Sequence, residues 1–288
     1  MSIYTSHQSK MIELIDRAVV NLAQIQPLSD GYYAQCLEIF EANSDQRLGL
    51  LYWLESKVLS RMSQSSNAIL SVGCGTGAFD ERILRYAQSR MNHVVYLGIE
   101  PNEVEATEFL ERMRAQKSDH VDVSVLVKKF GNQLFEQEFN LILFVQSVYY
   151  LDDRKDAIDA ALQALKPGGE LVIVIAPNEE LNTIANLIWQ RQMGQKSWFS
   201  TDVRAHFEER GLDYSETRIS ANLNASECFG ESSEGGRNIV DFIVQTQTDQ
   251  LPTALRDDIS DFLMSISKGE GSMRSLPHPV DIFRCRKP

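Results

Sequence analysis

The stretch Ala68-Ile69-Leu70-Ser71-Val72-Gly73-Cys74-Gly75-Thr76-Gly77-Ala78-Phe79-Asp80 decides the fold. A short apolar run that breaks into three glycines at alternate positions, followed by an amphipathic stretch, predicts a buried strand, a tight turn and a helix. Glycine serves where the backbone turns with positive φ or approaches a ligand closely, and the N-terminus of the following helix offers unpaired N–H groups. The spacing G-x-G-x-G departs from the dinucleotide fingerprint G-x-G-x-x-G, and the chain contains no G-x-x-x-x-G-K-[ST] phosphate loop. A second apolar run, His93 to Pro101, ends in Glu100. A carboxylate at the C-terminal end of a second parallel strand can accept hydrogen bonds from both ribose hydroxyls of an adenosyl ligand.

Three motifs stand in order: VGCGTG at Val72 to Gly77, GIEP at Gly98 to Pro101 and LKPGGELVIV at Leu165 to Val174. On these the chain resembles the class I S-adenosylmethionine-dependent methyltransferases, matching their first two motifs and the loop before their fifth strand. The resemblance implies S-adenosylmethionine as cofactor, S-adenosylhomocysteine as product and no metal.

With 288 residues, 43% of them hydrophobic, the chain can bury a substantial core, either as one large domain or as a domain with an appended lobe. The formal charge of -12 argues against a nucleic-acid or anionic-membrane surface and suits a small cationic substrate. Cys36, Cys74, Cys228 and Cys285 lie far apart and form no C-x-x-C pair, so they read as reduced thiols rather than a zinc site or disulfide framework. The N-terminal stretch lacks an apolar core of signal-peptide length, and no run reaches the length of a membrane span. A cytoplasmic protein, monomeric or weakly dimeric, is expected.

Working outward, residues 9–62 carry apolar positions at helical spacing and predict three helices, broken at Pro27 to Gly31, with Asn43-Ser44-Asp45 able to cap the third. The polar connector 63–67 leads to strands at 68–72, 94–100, 121–127 and 139–145, helices at 79–90, 103–116 and 154–165, and a fifth strand at 170–176. Such alternation predicts a doubly wound α/β sheet whose ligands bind at the C-terminal strand ends. Beyond Pro177 the pattern predicts helices at 181–193, 200–210, 236–247 and 252–267 and strands at 213–220 and 280–285. The polar, glycine-containing segments 222–236 and 268–274 read as a mobile loop and a flexible link. Together with the resemblance this gives a Rossmann-like, seven-stranded sheet with three parts: an N-terminal helical cap (1–62), the cofactor-binding α/β core (63–178), and the rest of the sheet with substrate-enclosing helices (179–288).

The fourth strand is followed by Gln146-Ser147-Val148-Tyr149-Tyr150, which puts an amide and two phenols at the ligand-facing edge. Here the resemblance narrows: VQSVYYL, SECFGESSEGGRNIVDFI at Ser226 to Ile243 and LPTALRDDI at Leu251 to Ile259 are similar to histamine N-methyltransferases. The family resemblance implies substrate contact for Gln146 and for Tyr149 or Tyr150, and aromatic pocket walls at Trp189 and Phe242. For the cofactor it implies Ser71, Gly73, Gly75, Gly77 and Glu100, with Gln146 and Ser147 on the sulfonium side and Asn132 near adenine. Two positions depart from the family: Tyr33 stands where it has a glutamate, with Asp30 nearby as a substitute, and His278 stands where it has an asparagine. These departures count against histamine itself and remain compatible with another small amine or a guanidine-type metabolite.

The expected activity is direct in-line methyl transfer to nitrogen, with Gln146 and the phenols orienting the amine and water or His278 taking the proton. O-methylation of a small metabolite, a peptide substrate, and a cofactor-binding module without catalysis are the alternatives.

Overall fold

The computed structural model describes residues 4–116, 118–131, 135, 138–194, 196–229, 233–270 and 273–288. They form two compact units, each assembled from separate stretches of the chain. One comprises Leu48–Ala176, Trp198–Ile219 and Asp281–Pro288; the other comprises Met1–Arg47, Pro177–Ser197 and Ser220–Val280.

The helical unit begins with α1 (Ser6–Val20) and α2 (Asp30–Ala42), and α3 (Gln46–Lys57) leads into the sheet unit. There follow β1 (Ser66–Val72), α4 (Asp80–Gln88), β2 (His93–Ile99), α5 (Glu103–Ala115), β3 (Val121–Leu126), β4 (Phe139–Val145), α6 (Arg154–Gln163) and β5 (Leu165–Ile175). After α7 (Leu181–Met193) come α8 (Ser200–Glu209), β6 (Tyr214–Ile219), β7 (Asn222–Asn224), α9 (Glu234–Val244), α10 (Thr253–Ile266), β8 (Lys268–Glu270), β9 (Met273–Pro277) and β10 (Val280–Arg286).

The large sheet has the order β3-β2-β1-β4-β5-β10-β6. β1 runs parallel to both β2 and β4, β2 pairs with β3 and β4 with β5 in parallel, and β10 is antiparallel to β5. The order reverses between β1 and β4, so the connections after these strands leave in opposite directions and open a crevice at their C-terminal ends. The expected α/β architecture is therefore present. β4 and the second half of β5 are almost continuously apolar because both sheet faces are covered, and Leu141 to Phe144 and Leu171 to Ile175 are fully buried. Side-chain caps fix the helix starts: Asn102 accepts from the N–H groups of Val104 and Glu105, and Asp153 accepts from that of Asp156.

Helix α6 ends at Gln163; Leu165, expected as the last helical residue, and Lys166 to Gly169, expected between helix and strand, already belong to β5. Pairing explains the difference. Phe139 N–H donates to Ala164 O, while Gly168 N–H donates to Lys287 O and Lys287 N–H to Gly169 O, drawing the proline-glycine stretch into the strand.

The helical unit packs α1, α7, α9 and α10 around Ile15, Val19, Ile184, Ile188, Ile243 and Phe262. Tyr32 on α2 donates to the buried Asp241 carboxylate on α9 at 2.9 Å. Two expectations are corrected here. The segment 222–236 is not a loop throughout, since it holds β7 and the start of α9; residues 230–232 lie outside the described set. Likewise, 268–274 contributes β8 and the start of β9 to a three-stranded sheet of order β7-β9-β8, with 271–272 outside the described residues. The polar side chains of β8 are all exposed, so the strand is held by backbone pairing and carries no apolar alternation to read.

A β-carbon added to Gly169 would lie 2.8 Å from Phe139 O and 2.9 Å from Lys166 O, both rigid backbone atoms. Gly169→Ala should therefore cost about 1–3 kcal/mol in urea unfolding; an unchanged midpoint would contradict this tight strand junction.

Candidate active site

The turn after β1 is built by left-handed backbone. Gly73, Gly75 and Gly77 have φ of 67°, 53° and 76°. A β-carbon on Gly73 would sit 2.5 Å from that of Ser147, and one on Gly77 would sit 2.7 Å from the Phe109 ring. These two glycines thus answer both to conformation and to space. The turn folds onto the end of β2, where Gly73 N–H donates to Ile99 O at 2.8 Å.

Glu100 is only 7% exposed. One of its carboxylate oxygens accepts the Gly75 N–H at 3.0 Å and the other the Asn102 N–H at 2.9 Å. Each oxygen keeps acceptor capacity for a hydroxyl group, so the clamp on the loop and a ribose contact are compatible. Ser147 donates to Val72 O at 2.6 Å and so ties the end of β4 to the glycine turn. Ser71 lies buried in β1, close to the phenol of Tyr96. Tyr96 in turn donates to Asp80 at 2.8 Å, fastening the first turn of α4 to β2. Burial raises the Tyr96 pKa, keeping the phenol a neutral donor. Sequence reasoning did not single out Tyr96 or Asp80; a tyrosine amid apolar strand residues gives no separate signal. Asn132 falls outside the described residues.

At the end of β4, Gln146 takes a left-handed φ of 54° while its N–H donates to Val174 O at 2.9 Å. Tyr149 donates to Gln146 Oε1 at 2.6 Å, and its oxygen accepts the Ala176 N–H at 2.6 Å. Desolvation raises the Tyr149 pKa, so this phenol too is neutral. Tyr150 is 54% exposed and meets the Tyr149 ring edge-on at 6.1 Å between centroids.

The other candidates lie in the helical unit. Tyr33 packs against Phe242 with centroids 5.5 Å apart, Phe242 against Phe40 at 4.6 Å, and Phe40 edge-on against His278 at 4.9 Å. Three of the expected residues thus join one chain of rings. Phe40, the link between them, reads in sequence as one more apolar position of a helical stripe. Asp30 is exposed in the first turn of α2, and Trp189 is half-buried on α7.

His278 is not a solvated loop residue. It is 9% exposed, its Nδ1 lies 2.8 Å from Ser44 Oγ, and its backbone bonds both Ala221 O and the Gln46 amide. Burial lowers its pKa to about 4, which leaves a neutral imidazole that is a weak proton acceptor.

Residues 70–171 match the family described as a methyltransferase domain. Histamine N-methyltransferase A of Xenopus laevis is 24% identical over 254 residues, covering 81% of this chain and 87% of that protein. Nodulation protein S of Sinorhizobium fredii is 30% identical over 119 residues, covering 39% of this chain and 50% of the relative. Among solved structures, a Bacillus halodurans protein assigned as a methyltransferase superposes with a TM-score of 0.55 at 14% identity, covering 83% of this chain and 98% of that one, a likeness of fold. Residues 70–171 thus form a methyltransferase domain, and with the motifs these findings support an S-adenosylmethionine-dependent class I methyltransferase.

Glu100→Ala removes two charge-assisted bonds as well as the acceptor expected for ribose. Cofactor affinity should fall at least about tenfold and stability by roughly 2 kcal/mol. Calorimetry showing unchanged affinity would remove Glu100 from the cofactor site.

The His278 shift predicts an acid response of definite sign. The unfolded imidazole takes a proton below its ordinary value of 6.5, whereas the folded one does so only near pH 4. Stability is therefore lost as pH falls from 6.5 towards 4, by about 3 kcal/mol in full. His278→Gln should flatten that part of the pH dependence in urea titrations at pH 7 and pH 5; an identical slope would show that other groups carry it.

Proposed function

We propose that this methyltransferase transfers a methyl group to a nitrogen of a small amine or guanidine-type metabolite. The observation that carries the reading is the neutrality of the groups that meet beyond β4: the Gln146 amide, the Tyr149 phenol and the Ala176 N–H. An amine attacks only through its lone pair, after losing a proton. An adjacent carboxylate would raise the ammonium pKa and oppose that loss, whereas neutral partners and apolar walls favour it. Asp281, the carboxylate whose field reaches Tyr149, is held by Arg218 through bonds of 2.7 Å and 3.0 Å.

The residues present fit the cofactor. The left-handed glycines let the turn fold back so that Gly75 N–H reaches Glu100, which offers paired acceptors at the end of β2. Gly73, Gly75, Gly77, Glu100 and Ser147 would hold it. When bound, S-adenosylmethionine supplies a methyl group already electrophilic on a sulfonium. The chain's remaining task is orientation: Gln146 and Tyr149 fix the polar edge, and holding the nucleophile in line contributes by proximity. Within the helical unit, Tyr33 and Phe242 present packed aromatic faces of the kind that stabilise a cation, each worth about 0.5–2 kcal/mol depending on desolvation. The weakly basic His278 would serve as a neutral polar group, with water taking the proton.

The similarity to histamine N-methyltransferases supports nitrogen as acceptor, and the Tyr33 and His278 departures leave room for an amine other than histamine.

The test is a mass-spectrometric screen with isotope-labelled S-adenosylmethionine against histamine, other small amines, guanidines and phenols. A methylated amine or guanidine is expected, with Gln146→Ala lowering turnover at least about tenfold while cofactor affinity stays near normal. Transfer confined to phenols, or cofactor binding without product on any nitrogen compound, would overturn the assignment.

A further inference from the structure

The geometry points to Tyr149 as a positioning residue: it fixes which end of the Gln146 amide faces the reaction, and it does so without touching the substrate. The inference rests on the reading of this edge as substrate-facing. The Tyr149 oxygen accepts the Ala176 N–H at 2.6 Å, and the phenol, kept protonated by burial, has a single hydrogen to give. That hydrogen goes to Gln146 at 2.6 Å. Only the carbonyl end of an amide can receive it, so Oε1 is pinned to Tyr149 and the NH₂ group is turned the other way.

The backbone of Gln146 supports the same conclusion from a separate observation. A φ of 54° is comfortable for glycine and costly for glutamine. The chain keeps a side chain there nonetheless, and anchors it twice to the end of β5: directly through Gln146 N–H to Val174 O, and through the phenol to Ala176. Strain retained under such over-determination is characteristic of positions selected for what the side chain does. Gln146 then works as a donor of set direction, and Tyr149 acts through it.

The experiment is a double-mutant cycle on the full chain with an amine that the labelled-methyl screen shows to be a substrate. Tyr149→Phe and Gln146→Ala should each lower kcat roughly tenfold or more, with cofactor Kd changed less than about threefold, and the double variant should be no slower than Gln146→Ala alone. Multiplying losses would show that Tyr149 acts independently and would overturn the inference. Gln146→Glu keeps an acceptor for the phenol but removes the NH₂ group, so it should be as slow as Gln146→Ala; wild-type turnover would refute the donor role. Gln146→Gly relieves the backbone, so its Tm should hold or rise while transfer falls, an outcome a merely structural role does not give. Active Gln146→Gly would overturn the inference.

A further arm needs no substrate. In the cofactor-loaded protein, the side-chain amide NMR pair of Gln146 should shift or broaden in Tyr149→Phe, and an unchanged pair would refute the positioning role. If the screen yields no methylated nitrogen compound, the nitrogen assignment fails, while the amide signal still decides whether Tyr149 fixes Gln146.

Discussion

The closure of the glycine turn onto the end of β2 is the constraint on which the rest of the site depends. Gly73 N–H reaches Ile99 O, and Gly75 N–H reaches the Glu100 carboxylate, which also gathers the Asn102 N–H that precedes α5. One buried side chain thereby holds the connections leaving two neighbouring strands. The closure requires left-handed backbone at three positions and leaves no room for a β-carbon where Gly73 meets Ser147. Ser147 in turn bonds Val72 O, so the ends of β1, β2 and β4 are fixed relative to one another to within hydrogen-bond tolerance. A cradle set in this way does not have to be organised by its ligand, which lowers the entropic cost of binding.

Burial governs the chemistry of the polar groups around this frame. It keeps the phenols of Tyr96 and Tyr149 protonated and the imidazole of His278 unprotonated. Two of the carboxylates away from the frame are held in ion pairs, Asp281 by Arg218 and Glu170 by Arg284. At the edge beyond β4 the Gln146 and Tyr149 side chains are neutral and fix one another's direction, while Arg154 donates to the Tyr149 carbonyl. Neutral groups orient a nucleophile without fixing a proton on it, which is the requirement of a reaction whose electrophile is already activated.

The large sheet and the glycine turn after β1 follow from local order in the amino-acid sequence alone, and the class of reaction from the resemblance that its motifs carry. Apolar runs of strand length, glycines at alternate positions and a carboxylate at a strand end are properties of neighbouring residues, and β1, β2 and β4 begin and end within a residue or two of where their patterns stop. What only the tertiary structure decided concerns partners distant in sequence. The strand character of Leu165 to Gly169 comes from pairing with Phe139 of β4 and with Lys287 near the C-terminus, and that of Lys268 to Glu270 from backbone bonds to β9. The ring contact of Phe40 with His278 and the lowered pKa of that imidazole depend on a loop brought back across more than two hundred residues. Hydrogen-bond direction at Gln146 likewise needs Ala176, from another strand end. Periodicity records which face of an element is buried; it does not record what is buried against it, and pKa and bond direction follow from the latter.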